Sequence, residues 1–196
     1  MQLLKEKLNW LNKIVPNHQS RPLPSQAINA EWEIRLEDTS FDRWRVSLNE
    51  TCLFFDGASK GNPGKAGSGG VLMSVNGTIV SSYHWGLGIE SNNIAECCGL
   101  LQGLRIANTK GINALSVFGD SRMLIQALIN KKRPDHLKLA LLYRKIQMTC
   151  KKFHSIRFYH ILRGLNKLAD KEANKGELLS RGTLNMDGKD TRCDIP

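Results

Sequence analysis

The sequence predicts an α/β domain: a five-stranded mixed sheet, three antiparallel strands followed by parallel ones, flanked by helices. Three observations carry this. Apolar runs of strand length at 51–57, 67–75 and 78–85 follow one another across short turns. From residue 92 onward, helical periodicity alternates with short apolar runs at 115–120 and 156–160, so these later strands join by crossovers and lie parallel to their neighbours. The 196 residues, 41% hydrophobic and 23% charged, suit one globular domain with an appendage.

The elements follow in order. Leu4, Leu8, Leu11 and Val15 share a helical face over 3–15, and Pro16 ends it. Residues 16–30, with Pro16, Pro22 and Pro24, read as a linker. Trp32 and Trp44 fall in a segment of mixed charge. Residues 1–50 are therefore expected to form an N-terminal helix and linker extension, 51–180 the core domain, and 181–196 a polar tail without pattern. The extension fits a docking segment, a strap over the core or a remnant of a longer polyprotein, and its residues do not choose among these. A chain beginning near Arg43 is expected to fold.

The first core run, Leu53-Phe54-Phe55-Asp56, climbs to an aspartate, and Gly57 beside it leaves room for a ligand backbone. A turn rich in Gly, Asn and Pro leads to the second run, and Asn76-Gly77 marks a hairpin into the third. A helix over 92–108 buries Ile94, Cys97, Leu101 and Leu104, and Gly111 closes it. The fourth strand ends on Asp120. A helix over 121–130 breaks at Lys131-Lys132-Arg133-Pro134. A longer helix, 137–153, turns Leu139, Leu142, Tyr143, Ile146 and Cys150 inward. The last helix runs over 166–179.

The formal net charge is +10. Residues 1–50 hold seven Lys/Arg and seven Asp/Glu, whereas 120–169 hold twelve Lys/Arg against two Asp. The excess is concentrated in one quarter of the chain, which points to a polyanionic partner. Lys138, Lys145 and Lys152 recur every seven residues and predict an outward row flanked by Arg144 and Lys151. With Lys131, Lys132 and Arg133 just ahead, this surface is expected to contact phosphates. The five cysteines are odd in number and form no CxxC, so buried thiols in a reducing compartment are expected, with no disulfide framework or zinc site. No apolar stretch approaches the roughly 20 residues of a membrane span, and Lys5, Glu6 and Lys7 interrupt any signal-peptide core. The expected location is intracellular, in nucleus or cytoplasm, with an organelle left open.

Four carboxylates take corresponding places. Asp56 and Asp120 each end a strand, Glu96 lies early in one helix and Asp170 early in another. Carboxyl ends of neighbouring strands in an open α/β sheet share one crevice. Four acids there repel one another unless divalent cations intervene. Oxygen donors without a His/Cys cluster favour Mg²⁺ or Mn²⁺. Two such ions about 3.5–4 Å apart form the clamp used for phosphodiester displacement.

These residues sit in motifs that resemble type 1 ribonuclease H, most like the modules of plant retroelements and their stand-alone relatives. The motifs are Asp56-Gly57-Ala58-Ser59-Lys60-Gly61-Asn62-Pro63-Gly64, Ser91-Asn92-Asn93-Ile94-Ala95-Glu96, Gly119-Asp120-Ser121, and His160-Ile161-Leu162-Arg163-Gly164-Leu165-Asn166-Lys167-Leu168-Ala169-Asp170. Their acids stand 40, 24 and 50 residues apart, and the resemblance covers about two thirds of the chain. It implies a ribonuclease H-like fold whose catalytic domain is 51–180. It also implies endonucleolytic hydrolysis of the RNA strand of RNA·DNA hybrids with two Mg²⁺ ions. Asp56 would bridge both metals, Asp170 would help hold the one that activates water, and Glu96 and Asp120 the one at the leaving 3′ oxygen. His160 matches a mobile histidine that assists proton transfer or product release. Asn62, Ser91 and Asn92 match backbone-contacting positions, and Asn93 with the backbone near Gly57 would read 2′-hydroxyls. Asn92-Asn93 also fits a helix cap. Arg122 stands where the family often has glutamine, and the 40 residues from Asp120 to His160 leave no room for a basic handle helix. The expected assembly is a monomer, with residues 1–50 available to a protein partner. The alternative function is a non-catalytic nucleic-acid-binding module derived from a retroelement ribonuclease H.

Overall fold

The computed structural model describes residues 32–195. The helix expected at 3–15 and the linker at 16–30 lie outside them. Among the described residues, eight strands form one mixed sheet in the order β1-β6-β5-β2-β3-β4-β7-β8. Strands β2 (Thr51–Gly61), β3 (Gly64–Met73) and β4 (Ile79–Glu90) make the antiparallel meander, and β5 (Ala114–Gly119) and β6 (Ser155–Ile161) lie parallel to β2 and to each other. These are the five expected strands. The further three are short: β1 (Glu33–Ile34), parallel to β6, and the hairpin β7 (Thr183–Met186) and β8 (Lys189–Arg192) beside β4. The helices are α1 (Asp38–Ser47), α2 (Asn92–Thr109), α3 (Arg122–Ile129), α4 (Leu137–Cys150) and α5 (Lys167–Leu178), close to expectation except for α1.

Alternation along β2 explains the layering, because successive side chains point to opposite faces. Leu53 and Phe55 join the core beneath α2, α3 and α4, with Tyr83, Trp85, Leu101 and Ile146. Cys52 and Phe54 join a second core with Phe118, Tyr159, Ala169 of α5 and Phe41 of α1. Here Phe54 and Phe118 stack with centroids 4.9 Å apart, Phe118 and Tyr159 stack at 5.3 Å, and Phe41 meets Phe118 edge-on at 5.5 Å. Trp44 closes the cluster against Tyr159 at 5.1 Å.

Two expectations about the ends of the chain are corrected. The segment before residue 51 is not detached from the core over its described part. Ile34, Phe41 and Arg45 are buried, and α1 covers one face of the sheet. Nor is the stretch after 181 without pattern. Asp187 and Gly188 both have positive φ, 51° and 82°, and make the two-residue turn between β7 and β8. The Asp187 carboxylate accepts hydrogen bonds from the Ser81 hydroxyl and the Ser82 amide, and Leu184 enters the main core. The Asp-Gly pair was the available signal, masked by polar neighbours. All five cysteines are free; Cys52, Cys97 and Cys98 are buried, and Cys150 and Cys193 half-buried. Among the described residues, no helix is long and apolar enough to cross a membrane.

Candidate active site

Register brings the first two acids together. The last parallel pair between β2 and β5 is Phe54 with Phe118. Asp56 and Asp120 each follow two residues later, so alternation carries both toward the face where those rings stack. The strand does not end at Asp56, as the sequence suggested; β2 continues to Gly61 along β3 alone. Only its pairing with β5 ends there, which opens the crevice.

Glycine sets the third acid. A Cβ on Gly57 would fall on the backbone of Ala95 and Glu96, and one on Gly99 would collide with the Asp56 carbonyl. The space expected for a ligand beside Gly57 is thus filled by α2, which lies flush on β2 and carries Glu96 to the cleft. Asp170 arrives from the first turn of α5. Asn166, fully buried just before that helix, donates to the Phe55 carbonyl at 3.0 Å and to Asp120 Oδ1 at 3.1 Å. It ties the start of α5 to the strand floor.

The resulting cleft, about 400 Å³, is lined by Asp56, Gly57, Asn92, Glu96, Asp120 and Asp170. Lys60, Arg163, Asn174 and Glu177 line it too, and no sequence motif assigns these four a role. Arg163 donates to Asp170 Oδ1 at 3.0 Å, and Asn174 to Asp170 Oδ2 at 3.0 Å. Lys60 pairs with the buried Glu177 at 3.1 Å. The Arg163 signal was a basic residue inside the fourth motif, which also holds Lys167.

Electrostatics mark the cleft as carboxylate-rich. Burial first, then the Asp120 charge, pushes the Asp56 carboxyl up to about 8. Burial likewise pushes Glu96 up to about 7, opposed by the nearby Ser121 and Asn92 side chains. Glu96 Oε1 accepts from Asn92 at 2.9 Å, whereas its buried Oε2 has no partner among the described residues within the geometric limits of a hydrogen bond. The donors are all hard oxygens with an excess of negative charge, which fits a hard divalent cation. Yet no three His, Cys, Asp or Glu side chains among the described residues are gathered closely enough to ligate one as they stand. Bonds from Gly57, Asn92, Asn166 and Arg163 hold the four acids to separate partners.

His160 stands beside this cleft rather than in its lining. Its Nε2 lies 3.2 Å from the Asp120 carbonyl, and its own amide donates to the Trp32 carbonyl at 2.7 Å. Burial lowers its pKa, partly offset by that Asp120 carbonyl.

The expected nucleic-acid contacts divide among several places. Asn62 Oδ1 accepts from the Asn92 backbone N–H at 3.2 Å at the start of α2, while the Asn92 side chain serves Glu96. Ser91 occupies the N-cap without a side-chain cap bond. Asn93, Lys132 and Arg133 line a neighbouring groove of about 460 Å³ whose wall includes Glu96. Lys131 is exposed with φ 53°. Arg122 lies on the other side, against Trp32 and Glu33. The expected lysine row is corrected: Lys138 turns inward to Glu90, leaving Lys145 and Lys152 exposed.

A mixed sheet with strand-borne acids meeting helix-borne acids in one crevice defines a ribonuclease H-like domain. Residues 54–176 match the reverse transcriptase-like family, and the chain belongs to that family. It is 32% identical over 120 residues to a bifunctional protein of Mycobacterium tuberculosis, an alignment that covers 61% of this chain and 33% of that one. The chain thus spans about a third of the length of that relative. It is 31% identical to a ribonuclease H of Polynucleobacter asymbioticus, covering 63% of this chain and 87% of that one. Among solved structures, RNase H1 of the archaeon Halobacterium salinarum superposes with a TM-score of 0.62 at 31% identity, over 65% of this chain and 96% of that one.

Proposed function

We propose that this chain hydrolyses the RNA strand of RNA·DNA hybrids endonucleolytically. The carrying observation is the convergence of Asp56, Glu96, Asp120 and Asp170, with the Asp56 carboxyl driven up to about 8 by burial and by neighbouring acids. Similarity to ribonucleases H supports the reading. The four carboxylates would hold two divalent cations, Mg²⁺ or Mn²⁺. When bound, such ions lower the pKa of an attacking water and neutralise charge on the phosphate.

The remaining roles belong to the protein's own side chains. Asn166 and Asn92 hold Asp120 and Glu96 in place. Arg163, 80% exposed, can turn from Asp170 to a phosphate oxygen. His160, anchored at the Asp120 carbonyl, stands where it can carry a proton at the cleft's edge. Lys132 and Arg133 in the adjoining groove are placed to track the second strand's phosphates.

The test is a substrate panel. Labelled RNA·DNA hybrid, double-stranded RNA, double-stranded DNA and single-stranded RNA are incubated with Mg²⁺, Mn²⁺ or EDTA. Cleavage confined to the RNA of the hybrid, lost in EDTA, is expected. Hybrid binding without cleavage in either metal would mean a binding module instead.

A further inference from the structure

Outside the family-matched span, Trp32 and Glu33 reach two residues beside the cleft. Glu33 pairs in register with His160 across β1 and β6. It is only 2% exposed, and a carboxylate so buried persists only when paired. Arg35 donates to its Oε1 at 3.0 Å. Arg122 Nη2 lies 3.4 Å from its Oε2, and His160 Nδ1 is 3.9 Å from its Oε1. The Arg122 guanidinium also sits over the Trp32 indole, 6.0 Å from the ring centroid, within range of a cation–π contact. The same indole meets the His160 ring edge-on at 6.5 Å.

Arg122 begins α3, two residues after Asp120, and its side chain remains 56% exposed. Its inner side is thus held by a buried charge and an aromatic face while its outer side is open to solvent. An arginine seated in this way needs little further ordering when it meets an anion. An apolar residue would serve as well as Glu33 if β1 were only a strap.

We propose that Trp32 and Glu33 are positioning residues that seat Arg122 against the substrate's phosphate backbone at the edge of the cleft. This rests on the hybrid-cleaving reading. The segment before residue 51 thereby contributes to substrate grip.

A double-mutant cycle tests the seat. The full-length chain, Glu33→Gln, Arg122→Ala and the double variant are compared on a labelled RNA·DNA hybrid in Mg²⁺ for KM and kcat. Hybrid binding is measured in EDTA by fluorescence anisotropy, and folding by circular dichroism. Glu33→Gln should raise KM and weaken binding roughly tenfold, more than it lowers kcat. On the Arg122→Ala background it should add nothing. Binding within twofold of wild type, or losses that multiply independently in the double variant, overturns the seat. If Glu33→Gln does not fold, Trp32→Leu enters the same cycle with the same expectations. A wild type that binds hybrid but does not cleave it overturns the hydrolase reading alone, and the binding cycle still decides the seat. A wild type that does not bind hybrid overturns both.

Discussion

Arg163 reaches Asp170, with Nη2 3.0 Å from Oδ1, from a 3-10 turn, Arg163–Leu165, that the same motif supplies seven residues earlier. The Asp120 and Asp56 charges also help to raise its pKa. It is the arginine that faces the four acids in the cleft lining, so a divalent cation must compete with it for Asp170. Arg163→Ala should therefore bind Mn²⁺ several-fold more tightly than wild type without substrate. Calorimetry at fixed ionic strength reads this directly, and unchanged or weaker affinity would show that Arg163 does not oppose the cation.

Proton linkage gives a second prediction. Asp56 and Glu96 titrate near 8 and 7, above the ordinary carboxylate value of about 4. Their protonated folded forms contribute stability fully present below about pH 4. That contribution is lost progressively from about pH 4 and is gone once pH has risen through 7–8, because over that range the unfolded chain has given up protons that the folded one retains. Without cations, Asp56→Asn should thus melt higher than wild type at pH 8 and gain less at pH 5. For the same reason, Mg²⁺ binding at pH 7 should release about one proton. Calorimetry in buffers of different ionisation enthalpy counts it, and zero release would contradict the raised values.

The described N-terminal segment belongs to the core. A chain beginning at Arg43 loses Ile34 and Phe41, uncovering Phe54 and Phe118. Truncating one buried Phe typically costs about 3–5 kcal/mol, a large part of an ordinary domain's stability of about 5–15 kcal/mol. Phe41→Ala alone should lower the midpoint of urea unfolding markedly, and the Arg43 chain should lack a cooperative transition. A cooperative transition at the wild-type midpoint would reinstate the detachable extension.

The basic groove predicts salt dependence. Changing Lys131, Lys132 and Arg133 to Ser should flatten the fall of log affinity with log salt by roughly 0.7–0.9 for each phosphate ion pair removed. Single-turnover cleavage at saturating enzyme should fall far less than affinity. An unchanged slope would put the hybrid elsewhere.

What the sequence disclosed follows from lengths. Strands β2 to β6 and helices α2 to α5 each bury a stripe long enough to show periodicity, so their expected and observed bounds differ by only a few residues in most cases. Strand β1 has two residues, and β7 and β8 four each, too few for a pattern. The four acids were legible because each occupies a motif, although Asp56 lies within β2 rather than at its end. Arg163, Asn174, Lys60 and Glu177 were not, because only tertiary packing brings them to the same cleft. Gly57 was recognised as a close approach, but only the three-dimensional fold shows that α2 is what approaches. Glu33 carried no signal in sequence, since two of its three partners, Arg122 and His160, lie about 90 and 130 residues away.

The most direct test of the account compares wild type with Asp56→Asn on a hybrid carrying different labels on its RNA and DNA strands. In Mg²⁺ under single-turnover conditions, wild type should cut only the RNA strand. Asp56→Asn should cut it slower by orders of magnitude while binding the hybrid at least as well. Near wild-type cleavage by Asp56→Asn, or cutting of the DNA strand by wild type, would contradict the account.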